Sequence, residues 1–212
     1  MLRLNFAQGR RLATLLVANG LLSGALDAQP TLTRFAGPTN SQPLALSANG
    51  AFLVVANPDN NSASFFDLRS DRNRKVAEVT VQTEPGGAAF MPNGRKAYVA
   101  NTVAGTVSVI NVNIAGGAVS PVSKNIVVGT EPYGLCLTPN GAKLFVLNAR
   151  SNTVSVIDTA TDAVIATRAV PAEPRGCAIT NDGDADDNDE TLYVTHFLSF
   201  LLPGKVDGAD DA

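Results

Sequence analysis

Four stretches of the chain share one pattern of apolar and polar positions. Each begins at a proline and continues as a short apolar segment: LALS from Leu44, GAAF from Gly87, GLCL from Gly134 and GCAI from Gly176. A tight-turn dipeptide follows in every case, Asn49-Gly50, Asn93-Gly94, Asn140-Gly141 or Asp182-Gly183. Asn-Gly or Asp-Gly between two apolar runs is a strong hairpin signal, because the turn needs residues that tolerate positive φ. The second runs are FLVVA, KAYVA, KLFVL and TLYVT. Third runs follow in three of the stretches, SASFFDL, TVSVINV and TVSVIDT, and Val107/Val109 and Val154/Val156 alternate with the period of a strand. Fourth runs (VAEVTV, KNIVV, AVIATRAV) are less regular. The pattern predicts antiparallel units of four strands.

The leading prolines are Pro43, Pro85, Pro132 and Pro174, so the unit recurs at intervals of 42, 47 and 42 residues. Four strands at that period predict an all-β fold, a β-propeller of four-stranded blades. About three and a half blades are expected within residues 29–197. Size grading agrees with a wedge of converging sheets. Gly86, Gly87, Ala88, Ala89, Gly134, Gly176 and Ala178 sit in first strands, where the sheets crowd together. Phe52, Tyr98, Phe145 and Tyr193 sit in second strands, farther out.

Three segments carry a resemblance to a known family: Met91–Val112 (MPNGRKAYVANTVAGTVSVINV), Thr138–Thr167 (TPNGAKLFVLNARSNTVSVIDTATDAVIAT) and Leu192–Phe197 (LYVTHF). They resemble the YVTN-repeat β-propellers, mostly exported bacterial and archaeal proteins. The resemblance implies a ring of seven blades. The chain is therefore expected to be an incomplete, truncated ring, with 198–212 as an irregular acidic tail running on into missing sequence. Association of several short chains into one ring is the rival expectation. Members include surface-layer proteins, binding proteins and propellers fused to cytochrome c or di-haem peroxidase-like domains, so the resemblance does not choose an activity.

Composition narrows the classes. With 45% hydrophobic and 17% charged residues, the 212-residue chain is neither disordered nor a coiled coil. A formal charge of −3 offers no basic field for a phosphate backbone, which excludes nucleic acid as a partner. Arg3, Arg10 and Arg11 precede the uncharged stretch from Leu12 to Leu26, with small residues before Pro30. That order predicts a cleaved signal peptide over 1–28, a periplasmic or secreted protein, and no membrane span after its removal. The acidity is local: residues 182–212 hold nine acids against Lys205 alone.

Candidate chemistry is sparse. The segment from Asp182 to Glu190 replaces a two-residue turn with an acidic loop, and carboxylates at alternate positions can wrap one Ca²⁺. Asp182, Asp184, Asp186 and Asp189 are the candidate ligands, without the central glycine and terminal glutamate of an EF-hand. His196, the lone histidine, stands where other repeats have Asn57, Asn101 or Asn148. It reads as a loop histidine, with a metal or haem ligand as the alternative. No Cys-x-x-Cys-His occurs, so haem is expected only if a further domain exists. Cys136 and Cys177 lie four and three residues after their prolines, on opposite faces of their strands. They are expected to be two separate buried thiols rather than a bridge. The recurring Asn57, Asn101, Asn148, Asp67, Asn111 and Asp158 are expected to satisfy backbone groups of turns, and the Glu-Pro dipeptides to be structural. No catalytic residue is nominated, and no nucleophile elbow or triad is visible. The leading expectation is an exported scaffold or binding module that presents its loop faces to a protein or cell-envelope partner. The alternatives are the propeller domain of an exported haem-containing redox protein, and a lactonase-like hydrolase.

Overall fold

Four antiparallel sheets succeed one another in the computed structural model, which describes residues 43–69, 74–113, 116–184 and 186–197. The predicted signal peptide and acidic tail lie outside the described residues. Blade 1 comprises β1 (Leu44–Leu46), β2 (Phe52–Asn57), β3 (Ser62–Asp67) and β4 (Arg74–Thr80). Blade 2 comprises β5 (Pro85–Phe90), β6 (Lys96–Asn101), β7 (Thr106–Asn113) and β8 (Ala118–Val127). Blade 3 comprises β9 (Pro132–Leu137), β10 (Lys143–Asn148), β11 (Thr153–Asp158) and β12 (Ala163–Ala169). Blade 4 holds two strands, β13 (Pro174–Ile179) and β14 (Leu192–His196). Strand order within each sheet follows the sequence, so the fold is all-β and built from three and a half propeller blades. All of these strands belong to the unit Phe35–Ala212.

The turn chemistry does what the dipeptides require. Gly141 takes φ +78°, and a Cβ there would meet Pro92 Cδ at 2.8 Å, so the position demands glycine twice over. Inner strands are buried on both faces because a sheet packs on either side of them: β6 reads as almost continuous burial, whereas the outermost β8 and β12 are largely exposed. That difference explains why the fourth run of each unit is the least regular in sequence. Its residues face water on most sides and are held to no strict pattern.

Each blade turns one face toward its successor and the other toward its predecessor. The front of blade 1 (Val54, Ala63, Phe65) packs on the back of blade 2 (Phe90, Val99, Ile110). The front of blade 2 (Tyr98, Val107, Val109) packs on the back of blade 3 (Leu135, Leu144, Val146, Ile157). The front of blade 3 (Cys136, Leu147, Val154) packs on the back of blade 4 (Cys177, with Ile179 and Val194 beside it). Burying one such large side chain contributes about 1.5–3 kcal/mol, so these interfaces rather than the strand ladders alone hold the blades in order. At the inner strands the approach is close: a Cβ on Gly87 would lie 2.2 Å from the carbonyl oxygen of Tyr133 in the next blade. Tyr98 also donates its hydroxyl to Asp162 of blade 3 at 2.8 Å, and Lys96 Nζ holds both oxygens of the same carboxylate at 2.9 Å.

Two expectations are corrected here. Cys136 and Cys177 form a disulfide, with Cα atoms 6.2 Å apart. They do point to opposite faces of their own strands, but in stacked sheets the front of one blade meets the back of the next, and opposite faces are what bring the thiols together. Asn57 and Asn101 are corrected in role, whereas Asn148 does serve a loop backbone group, its Oδ1 accepting the Gly129 N–H at 3.1 Å. Each of the three donates its side-chain amide to two hydroxyls on the following strand: Ser62 and Ser64 at 3.0 and 2.9 Å, Thr106 and Ser108 at 3.0 and 2.9 Å, and Thr153 and Ser155 at 3.1 and 2.9 Å. The motif Asn-x4-Ser/Thr-x-Ser is a buried polar lock between second and third strands. Asp158 does serve a turn, accepting the Thr161 N–H and hydroxyl at 2.8 Å each.

Candidate functional site

Blades 2, 3 and 4 begin at Glu-Pro junctions at one end, and the Asn-Gly turns of blades 1 to 3 and the Asp182-Gly183 loop of blade 4 lie at the other. At the first end Glu84, Glu131 and Glu173 adopt φ of 57°, 53° and 52° immediately before proline, a left-handed backbone that few side-chain-bearing residues take. Neighbouring loops hold it. Asn61 and Asn152 accept the N–H of Glu84 and Glu173 at 2.8 and 2.9 Å, and the glutamate carbonyls accept from Thr102, Ala149 and Phe197 at 2.8, 2.9 and 2.9 Å. The backbone of the Glu-Pro dipeptide is thus structural, as the repeat pattern suggests.

The junction displaces the next residue. The strand register shifts between Pro85 and Gly87 and between Pro174 and Gly176, a β-bulge that takes Gly86 and Arg175 out of the ladder. Bulges re-aim side chains, and here they line up across blades. A Cβ on Gly86 would lie 3.4 Å from the Tyr133 ring, Arg175 stacks its guanidinium over Tyr133 at 5.0 Å, and the same guanidinium lies 5.6 Å from the Phe197 ring. Its only ion pair among the described residues is a long one, 3.7 Å from Arg175 Nη2 to Glu173 Oε2. Arg175 Nε is buried and has no hydrogen-bond partner among the described residues. A partly exposed guanidinium packed on two rings can present its remaining N–H groups to a carbonyl or carboxylate oxygen.

His196 lies at this same end, paired with Pro174 in the ladder. Its Nδ1 is 3.1 Å from the Ala172 carbonyl oxygen, which can only accept, so Nδ1 is the donor in that contact. Tyr133 and Arg175 were not singled out from the sequence. The available signal was that both follow their prolines directly, at a position occupied by Leu44 and Gly86 in the other units. A position that varies within an otherwise constant repeat is where a repeat protein departs from its scaffold.

The acidic loop lies at the opposite, Asn-Gly end, away from Arg175 and His196. Carboxylate oxygens of Asp182, Asp184 and Asp189 come within 4.8 Å of one another. Asp186 is not in this group and accepts the Asn188 N–H at 2.9 Å. Lost solvation, with the charges of Asp182, Asp184 and Asp186 nearby, pushes the Asp189 carboxyl above its ordinary range. The most firmly held acid is Asp187, which the sequence pattern did not mark. It is buried and accepts the N–H groups of Asn140 and Ala142 at 3.0 Å each, so the loop of blade 4 clamps the Asn-Gly turn of blade 3. Its neighbours join in: Asn140 Nδ2 donates to the Asp184 carbonyl at 3.2 Å and Lys143 Nζ to Asn188 Oδ1 at 2.6 Å.

A family model described as lactonase, 7-bladed beta-propeller, matches the chain over residues 20–132 and 76–168, which together span well over half of it. Among solved structures, the hydrazine synthase of Kuenenia stuttgartiensis is 27% identical at a TM-score of 0.59, over 76% of this chain and 44% of that one. A functionally unknown protein of Desulfotomaculum acetoxidans is 19% identical at 0.63, over 74% and 49%. The periplasmic gluconolactonase of Pseudomonas aeruginosa is 20% identical at 0.53, over 74% and 42%. The last two likenesses are of fold. The chain spans less than half the length of each of these structures. No curated protein sequence matches it.

Proposed function

Because the chain belongs to the seven-bladed lactonase β-propeller family, we propose that its Glu-Pro end binds and hydrolyses a sugar lactone. The observation that carries this reading is Arg175, whose guanidinium lies over Tyr133 and near Phe197 while its side chain stays 36% exposed at this end of the blades. Lactone hydrolysis adds water to an ester carbonyl and breaks the ring C–O bond, giving a hydroxy acid. Negative charge grows on the carbonyl oxygen as water adds, and a fixed guanidinium stabilises that charge. His196 Nε2 takes the proton of the attacking water and returns it to the ring oxygen that leaves. The aromatic faces of Tyr133 and Phe197 suit the apolar face of a sugar ring. A gluconolactonase among the structures of like fold supports the choice of lactone.

The test is hydrolysis of glucono-δ-lactone in a pH-stat, corrected for the spontaneous reaction. The chain is expected to accelerate it, and Arg175→Ala is expected to remove about 100-fold of that acceleration, the scale of losing one charge-stabilising donor. Absence of acceleration overturns the hydrolase. Saturable binding without turnover would instead support the non-enzymatic platform that presents its loop faces to a protein or cell-envelope partner.

A second reading rests on the 27% identity to part of hydrazine synthase: a propeller domain carried by an exported redox protein. Haem absorption in the protein isolated from its natural source would favour it. We infer that the protein acts outside the cytoplasm. The disulfide supports that placement, because such bonds persist in oxidising compartments, and so does the basic, then apolar, N-terminal segment. YVTN-type repeat spacing is consistent with the same exported class.

A further inference from the structure

Tyr133 and Arg175 come from neighbouring blades, and each stands where its own sheet holds it least. The register breaks between Pro132 and Leu135 of β9 and between Pro174 and Gly176 of β13, so both residues lie in bulges outside the ladder. What brings them together is the spacing of β9 and β13. A partly exposed guanidinium over a ring is a weak contact, and the ion pair of Arg175 with Glu173 is long at 3.7 Å, so neither fixes that spacing. The disulfide does. Cys136 is three residues beyond Tyr133 and Cys177 two beyond Arg175, about 10 and 7 Å along their strands. The preceding interface shows that stacking does not require the bond. Cys136 pairs with Phe145 as Ala89 pairs with Tyr98, and Cys177 pairs with Val194 as Leu135 pairs with Val146. Between blades 2 and 3 the equivalent residues are thus Ala89 and Leu135, which belong to one buried apolar cluster with no crosslink. The repeat departs from that pair at the interface that carries Tyr133 and Arg175.

We infer that the Cys136–Cys177 bond is a positioning device for the Arg175 site, which takes its binding arrangement only in the oxidised chain. The inference rests on the reading of the Glu-Pro end as a ligand site and adds control to it. Bond formation removes two electrons and two protons from the thiols, and an oxidant of the disulfide class takes them up and becomes a dithiol; a dithiol reverses the exchange. Both cysteines are buried, so a reductant reaches the sulfurs only when the interface opens. The bond is therefore made once, where thiols are oxidised, and the site stays silent in a reducing compartment.

The test replaces the bond with the pair found one interface earlier. The full chain carrying Cys136→Ala and Cys177→Leu is titrated with gluconate beside the oxidised wild type and the wild type reduced with dithiothreitol, all without denaturant. The Arg175 Nε–H resonance, displaced by the Tyr133 ring, reports the stack with no ligand present. The bond-free forms are expected to bind at least about tenfold more weakly, since a site populated one-tenth of the time loses tenfold in affinity. Their Arg175 resonance is expected to move toward that of an exposed arginine, while amide shifts of blades 1 and 2 stay as in the wild type. Dithiothreitol is expected to leave the variant unchanged. Cys136→Ala with Cys177→Ala takes its place if that variant does not fold. An unmoved Arg175 resonance in the bond-free forms overturns the inference, as does equal affinity where the oxidised wild type binds gluconate. So does a loss of native shifts throughout blade 3, which would make the bond a general support. An oxidised wild type that ignores gluconate ends the lactone reading, and the Arg175 resonance then decides the positioning role by itself.

Discussion

Cys136 of blade 3 is bonded to Cys177 of blade 4, closing a loop of 41 residues across the interface at which the two-stranded blade joins the series. A crosslink over a loop of that length removes unfolded-state entropy worth about 4 kcal/mol. Cys177→Ser, or reduction of the wild type, is therefore expected to lower stability by roughly 2–5 kcal/mol. Urea unfolding with and without reductant measures it. Equal midpoints would show that the interface of Leu147, Val154 and Val194 holds blade 4 without the bond.

Asn101 is fully buried and its amide donates to both Thr106 and Ser108, which pass hydrogen bonds on to Gln82 at 2.5 Å and Asn125 at 2.7 Å. Asn101→Ala leaves those hydroxyl oxygens without their donor and is expected to cost about 2–4 kcal/mol. Asn101→Asp is expected to cost more, since it sets a buried acceptor against oxygens that already donate elsewhere. Denaturant midpoints of the two variants decide the order. A milder Asp variant would contradict the direction assigned to these bonds.

Asp187 supplies a pH dependence. Burial alone would raise its pKa, but the Thr138 hydroxyl, the N–H groups of Asn140 and Ala142 and the Asn140 amide outweigh it and hold the carboxyl below its ordinary value. A lowered folded-state pKa means stability that is fully present above the unfolded value, near pH 4, and is lost as pH falls through the folded value. Asp187→Asn is expected to destabilise the protein at neutral pH and to flatten this acid loss. Melting curves between neutral and strongly acidic pH measure both effects, and an unchanged acid limb would remove Asp187 from the account.

Tyr98 ties blade 2 to blade 3. Burial first, then the hydrogen bond to Asp162 and its charge, raise its phenol far above the ordinary value, so it is expected to remain protonated until the fold opens in alkali. Tyr98→Phe loses a hydrogen bond to a charged group and is expected to cost about 1.5–3 kcal/mol. Thermal unfolding of the variant tests the tie, and a melting temperature equal to wild type would show that Lys96 alone satisfies Asp162.

Much of the fold is legible in the sequence because Asn-Gly turns and period-two runs are local signals. Strand identity, blade order and the weak patterning of the outer strands all follow from positions near one another in the chain. What escaped is relational. The pairing of Cys136 with Cys177 depends on which faces meet between sheets, and facing was inferred from a single strand. The clamp made by Asp187 depends on a turn 45 residues earlier, between Ala142 N and Asp187 Oδ2. Of the four acids expected to act together, Asp182, Asp184 and Asp189 converge and Asp186 is not grouped with them, although Asp182, Asp184 and Asp186 each accept the N–H two residues on. Arg175 and Tyr133 are visible only as departures from a repeat, and although Glu-Pro marks each bulge, their stacking depends on which bulged residues meet across neighbouring blades.

The Glu-Pro end is the center of the functional account, and a titration with gluconate, the open-chain product expected of the reaction, addresses it most directly. Backbone NMR shifts are expected to change with saturation at Tyr133, Arg175, His196 and Phe197, and Arg175→Ala is expected to abolish them while leaving the acidic loop unaffected. Shifts confined to the Asn-Gly end, or none at any concentration, would contradict a ligand site built on Arg175.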